Sequence, residues 1–257
     1  MSKTIGVVNQ KGGAGKTTTV IEVANNLANF EKRVLVIDID SQVGLTHYVP
    51  VDETKPSLYD IFHGKISVED AIQHLDKFDV ITASTDLSKA DKEFVDYDDI
   101  FLLKDIIEII QERYDYILVD TGPSRSILLS MVYVASDYII VPNYADAGSS
   151  YGVDKVYTDL LEVRSGKRPI SKAQIVALVL NNYRANEVND QALFETLQDK
   201  AENIEENPMV MTIRSSTAVK ACKSLRLPIM GYDKHSAAAL DFRDFTWELL
   251  QRMEALA

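Results

Sequence analysis

Seven short apolar runs recur along this chain and constrain its fold more than any other feature. They are TIGVVN (4–9), RVLVIDID (33–40), FDVITA (78–83), YDYILVD (114–120), DYIIVPN (137–143), AQIVALVLNN (173–182) and PMVMTI (208–213). Most are rich in Val and Ile and nearly continuous in hydrophobicity, the pattern of strands buried on both faces of a parallel sheet. Helical periodicity fills the gaps. Val20, Val23, Ala24, Leu27 and Ala28 fall on one helix face, as do Ile100, Leu103, Ile107 and Ile110. Ser57 and Ser67 each stand three residues before an aspartate (Asp60, Asp70), the spacing of a helix N-cap. The polar stretch from Asn181 to Asn207 reads as a loop plus a helix around Leu193 to Leu197. Alternating strand and helix predicts a doubly wound, mostly parallel α/β sheet flanked by helices. With no repeat or Pro/Gly-rich linker, residues 1–257 are expected to form a single domain.

Charge and cysteine usage narrow the function classes. A net charge of −12 argues against coating nucleic acid by bulk electrostatics, though a local basic patch is compatible with it. Cys222 is the only cysteine, which excludes an intramolecular disulfide and an iron–sulfur cluster built from this chain alone. The opening residues lack the apolar core of a signal peptide, and no apolar stretch approaches the roughly 20 residues that span a bilayer. A cytoplasmic protein without a membrane partner is expected.

The segment GGAGKTT (12–18) follows an apolar run and opens an amphipathic helix, the setting in which backbone N–H groups face phosphates. Gly12, Gly13, Ala14, Gly15, Lys16, Thr17 and Thr18 are therefore the expected phosphate-binding residues. Glycine lets the backbone wrap closely, Lys16 reaches the β and γ phosphates, and the Thr17 hydroxyl ligates Mg²⁺. Asp120, ending YILVD, stands where the second metal-holding carboxylate of such a P-loop NTPase belongs. Asp38 and Asp40 alternate at the end of another strand and point toward the same crevice. Asp40 is placed to orient or deprotonate the attacking water, and Asp38 to support the Mg²⁺ hydration shell.

In order and spacing, KGGAGKTTT, VLVIDIDSQ, YDYILVDTGPS and IIVPN resemble the deviant Walker-A ATPases of the ParA/MinD superfamily. The likeness continues more weakly through LVLNNY and TIRSSTAVKACKSLRLPI. It implies ATP and Mg²⁺ as cofactors and a homodimer formed on ATP binding. In that dimer Lys11 reaches across to the partner's phosphates, a cation delivered in trans. By the same resemblance Asn181, or Asn182 one position on, and the backbone of Ile213 and Arg214 through Ser215 line the adenine. Two departures stand out. Ser41 replaces the proline of an Asp-Pro-Gln sequence, and Gly122 replaces the first proline of Asp-x-Pro-Pro. Neither removes a ligand; both change loop stiffness and bear on the hydrolysis rate.

Within the superfamily the features resemble the compact ParA-type partition ATPases, whose phosphate loop begins near the N-terminus. Such proteins bind double-stranded DNA nonspecifically as an ATP dimer, associate with the nucleoid in that state, and are released when a ParB-like centromere-binding protein stimulates hydrolysis. Arg214, Lys220, Lys223 and Arg226 are the expected DNA contacts, the last three on one face of a helix opened by Ser215 or Ser216. Arg164, Lys167 and Arg168 form a second basic cluster. The alternative is a cargo-positioning or MinD-like switch acting through protein or membrane. The C-terminal segment DFRDFTWELLQRMEALA carries more acidic than basic residues, so it reads as a core-packing helix rather than a membrane anchor. An electron-transfer ATPase with the same lysine would need more cysteines, and no small-molecule pocket of a metabolic synthetase is marked.

Overall fold

Each of the seven runs forms a strand in the structure, a computed structural model that describes residues 1–145, 149–165 and 168–256. The strands are β1 (Lys3–Val7), β2 (Val34–Asp38), β3 (Ile72–His74), β4 (Asp79–Ile81), β5 (Tyr116–Asp120), β6 (Tyr138–Tyr144), β7 (Gln174–Tyr183) and β8 (Met209–Arg214). The longer helices among the described residues are α1 (Lys16–Asn29), α6 (Leu102–Ile110), α7 (Ile127–Ala135), α8 (Ser149–Arg164), α9 (Val188–Glu202), α10 (Ala218–Ser224) and α12 (Ala237–Leu256). Single turns make α2 (Gly44–Tyr48), α3 (Leu58–Phe62), α4 (Val68–Ala71), α5 (Ala90–Glu93) and α11 (Ile229–Tyr232).

One eight-stranded sheet runs in the order β3-β4-β2-β5-β1-β6-β7-β8. All neighbours pair in parallel except β3 with β4, which are antiparallel. The doubly wound architecture is as expected. The edge strand β3, with Gln73 and His74 among its three residues, carries no apolar run and was not legible in the sequence. The helix expected around Leu193 to Leu197 is α9, preceded by a short loop, whereas Asn181 and Asn182 belong to β7, which runs to Tyr183. Asp190 accepts from the Arg184 backbone and anchors the first turn of α9. One other local expectation is corrected. Helix α10 opens after Thr217, with Ser216 Oγ accepting from the Ala218 amide. Ser57 and Ser67 do cap helices, reciprocally with Asp60 and Asp70.

Strand alternation divides the core between two faces. On one, Leu35, Ile37, Ile117 and Val119 meet α6, α7 and α8. On the other, Val34, Val36 and Leu118 meet α1, α10 and α12. Phe242, Phe245 and Leu249 of α12 are fully buried there, each contributing about 1.5–3 kcal/mol of hydrophobic stabilisation. The last helix is thus a core element, as its charge pattern suggested. No helix among the described residues is long and apolar enough to cross a membrane.

Glu22, on α1, is fully buried. Its Oε1 accepts from the Ile229 amide at 2.7 Å and so ties α11 to α1, while Oε2 has no protein partner. Burial pushes its carboxyl up to about 8, despite opposing hydrogen bonds from the Ile229 and Met230 amides. An acid raised in this way holds an extra proton in the folded state, so folding stability falls as pH climbs from about 4.5 through about 8. Glu22→Gln should flatten this slope at its upper end and raise the melting temperature near pH 8, as checked by thermal denaturation across that range.

Candidate nucleotide-phosphate site

Strand register assembles this site. Parallel pairing sets Val7 of β1 level with Asp120 of β5, and Asp120 level with Asp38 of β2. Three strand ends therefore meet at the carboxyl edge of the sheet, where loops of this fold class hold ligands. The chain leaves β1, turns through residues 8–15 and enters α1 at Lys16. Gly13 (φ 76°) and Gly15 (φ 92°) take the left-handed conformation that glycine tolerates. A side chain at Gly15 would also strike Asn181, whose Nδ2 lies 2.5 Å from the Cβ position. No acidic residue neutralises the first turn of α1, which leaves its N-terminal dipole available to an anion.

The charged groups behind this loop are buried together. Lys16 is only 7% exposed, and its Nζ donates to the Lys11 carbonyl at 3.3 Å. Desolvation pulls its ammonium down, while Asp120 and Asp40 act in the other direction. Asp120 is wholly buried; its Oδ2 accepts from the Thr17 hydroxyl at 2.7 Å and its Oδ1 has no partner. Burial first, and the neighbouring Asp38 charge second, raise its carboxyl well above the usual range. An orphaned carboxylate oxygen beside a threonine hydroxyl fits a hard divalent cation. No group of three or more His, Cys, Asp or Glu ligands occurs among the described residues, so such a cation would complete its shell with phosphate and water.

Asp38 is differently employed. Its Oδ2 accepts from both the amide (2.9 Å) and the hydroxyl (2.8 Å) of Thr46, and its Oδ1 from the Asp40 amide at 3.0 Å. Burial pushes it up to about 6 against those bonds. The carboxylate thus shapes the loop that carries Asp40. Asp40 itself is half-buried, with Oδ1 accepting from the Gln42 amide at 2.9 Å.

The expected base-binding residues also converge. Gly15, Thr18, Asn181, Asn182, Ile213 and Arg214 line one cavity of about 80 Å³. Asn181 faces inward, its Nδ2 donating to the Ala14 carbonyl at 3.1 Å, so it braces the phosphate loop. Asn182, in the left-handed region at φ 59°, accepts from the Ser215 hydroxyl at 2.8 Å. Arg214 is held by Asp241, through its amide at 2.8 Å and its guanidinium at 2.6 Å.

The basic residues are less concerted than their spacing suggested. Lys220 borders the same cavity, and Lys223 lies 5.9 Å from the Tyr48 ring centroid. Helix α10 ends at Ser224, and Arg226 follows it at φ 54°, 3.7 Å from Glu53. The shared helix face expected for Lys220, Lys223 and Arg226 is therefore corrected: the left-handed turn removes the third. In the second cluster Arg164 is paired with Glu206, and Lys167 lies outside the described residues.

Three contributors had no sequence signal, because each acts through a loop contact that no motif marks, two of them with partners more than 100 residues away. Asn9 donates to the Pro142 carbonyl at 2.8 Å and accepts from the Lys11 amide at 2.8 Å, which fixes the start of the loop. The Thr121 hydroxyl binds the Val7 carbonyl at 2.8 Å, and Thr46 holds Asp38.

A buried lysine, an open helix N-terminus, and an orphaned carboxylate beside a threonine on a doubly wound sheet define a P-loop nucleotide-phosphate site. A family profile described as "AAA domain" matches residues 2–172. The chain belongs to that family, as one of its ParA-type P-loop ATPases. It is 28% identical to the chromosome partitioning protein ParA of Caulobacter vibrioides, over 97% of this chain and 94% of that one. Among solved structures, the McdA(D38A)–ATP complex of Cyanothece superposes with a TM-score of 0.85 at 18% identity, covering 97% and 96% of the two chains. Cobyrinic acid a,c-diamide synthase from Mycobacterium smegmatis, with bound ADP and magnesium, gives 0.82 at 22% identity, covering 100% and 97%.

Asn181→Ala removes the brace on the Ala14 carbonyl. It should weaken nucleotide binding by about tenfold, measured by titration calorimetry, and lower the melting temperature of the free protein by several degrees, because a buried carbonyl loses its partner.

Proposed function

We propose that the protein is an ATP-dependent dimerising ATPase of DNA partition. On this reading it binds DNA nonspecifically as the ATP dimer and lets go when a ParB-like centromere-binding partner stimulates hydrolysis. The carrying observation is the constellation of Lys16, Thr17 and Asp120 behind a loop that also presents Lys11. Residues 12–18 cradle the phosphates of ATP, and Lys16 supplies charge to the β and γ groups. Thr17 and Asp120 would hold Mg²⁺, which neutralises phosphate charge when bound. Asp40, the half-buried carboxylate that follows β2, orients the attacking water and takes its proton. Asp38 keeps Asp40 in place through the Asp40 amide. Lys11 from the partner subunit stabilises charge on the γ-phosphate, so the site is complete only in the dimer. The ATP and the ADP with magnesium bound in the two fold relatives support this choice of cofactors.

Lys220 and Lys223, both exposed on α10, are the basic side chains best placed for DNA phosphates. So few contacts give weak, salt-sensitive binding, which suits a protein that must release and, when ATP-bound, sit on the nucleoid. One observation favours a second reading, the same switch working through protein partners. Arg214 and Arg226 face Asp241 and Glu53, which subtracts charge from the proposed DNA surface. A membrane switch is disfavoured because the apolar side of α12 is spent in the core.

Binding to nonspecific duplex DNA in low salt, with ATP, ADP or no nucleotide, separates these readings. Partition predicts ATP-dependent binding that is absent in Lys16→Ala and weakened about tenfold or more by Lys220→Glu with Lys223→Glu. ATP-driven dimers that ignore DNA under every nucleotide would refute it in favour of protein partners.

A further inference from the structure

Gly122 has no backbone reason to be glycine. Its φ lies outside the left-handed region, unlike Gly13 and Gly15. The space around it is another matter. A Cβ at this position would stand 2.8 Å from Asp40 Oδ1 and 3.2 Å from Asp40 Cγ. The carboxylate of Asp40 thus occupies the volume that any side chain at 122 would take. Both walls of this seat are firm. Thr121 is pinned to the Val7 carbonyl, and Pro123 follows with its fixed φ. Across the seat, the Gln42 amide holds Asp40 Oδ1 at 2.9 Å.

Asp40 in this position borders a polar cavity of about 200 Å³, walled by Ser41, Gln42, Ser124 and Ser126. No residue of the phosphate loop 12–18 lines that cavity. The amide bond and the cavity wall hold the carboxylate in one place, so reaching water beside the phosphate loop requires it to shift. We propose that Gly122 is a positioning residue that seats Asp40 in a withdrawn, hydrogen-bonded resting place and so keeps unstimulated hydrolysis slow. The inference rests on the ATPase reading and on Asp40 as the group that handles the attacking water. Filling the seat would drive the carboxylate off the Gln42 amide and out of this resting place.

Steady-state ATP hydrolysis by the full chain, without any partner, tests this. Gly122→Ala should raise kcat about fivefold with KM and ATP-analogue affinity unchanged, because only the position of Asp40 changes. Gly122→Ser places a Cβ at the same point against Asp40 and should act in the same direction, which covers the case in which Gly122→Ala is poorly folded. On an Asp40→Asn background Gly122→Ala should produce no rise, an outcome that a general loosening of the loop would not give. An unchanged or lowered kcat in a folded Gly122→Ala protein, or the same rise without Asp40, overturns the proposal. Failure of the parent reading looks different: wild-type protein would show no ATP hydrolysis sensitive to Asp40→Asn.

Discussion

The structure depends on one alignment, the register that sets the ends of β1, β2 and β5 at a common level. Asp38 and Asp120 are paired across neighbouring strands, and Val7 stands beside Asp120 as the chain enters the phosphate loop. A slip of one residue would turn the strand-end side chains to the opposite face of the sheet. That slip is opposed by burial on both faces, since Leu35 and Ile37 serve one core while Val34 and Val36 serve the other. Hydrophobic packing on the two sheet faces thereby sets the geometry of the charges at its edge.

Those charges are held under electrostatic tension. Lys16 and Asp120 are buried together, with Asp38 adding a second negative charge beside Asp120. Asp38 satisfies its oxygens with amides and a hydroxyl, whereas Asp120 keeps one oxygen unpaired. Buried, unsatisfied carboxylates cost free energy in an empty site and lose that cost when a cation and phosphates arrive. Ligand binding and stability are coupled through this cluster. Hydrogen bonds from the neighbouring loops hold the cluster's frame, since Thr121 ties the loop after β5 to β1 and Asn9 ties the start of the phosphate loop to β6.

The basic residues beside the base-side cavity show how packing decides the meaning of charge. Arg214 is one of four cations within 13 residues, a cluster that looks like a nucleic-acid patch in the sequence. In three dimensions Asp241 from α12 takes its guanidinium, and Glu53 from the loop after α2 approaches Arg226. Lys220 and Lys223 remain on the exposed side of α10. A helix that buries Phe242, Phe245, Leu249 and Met253 in the core, as α12 does, likewise cannot offer those side chains to a membrane at the same time.

The sequence by itself determined the sheet, because seven β-branched runs can be buried only between helical layers, and it determined the phosphate loop, because glycines, lysine and threonine at that spacing carry their chemistry locally. It also marked Asp38, Asp40 and Asp120 by their places at strand ends. Tertiary structure alone decided what each does in the free protein. Asn181, expected at the base, braces Ala14 from 167 residues away, and Asp38, expected near the metal, is bonded to Thr46. The seat at Gly122 exists only because β2 and β5 are neighbours, and β3 pairs at the edge without an apolar signature of its own. Local spacing encodes what a short segment can bind. Contacts between distant segments depend on which strands lie side by side, a property of the whole folded chain that no single stretch records.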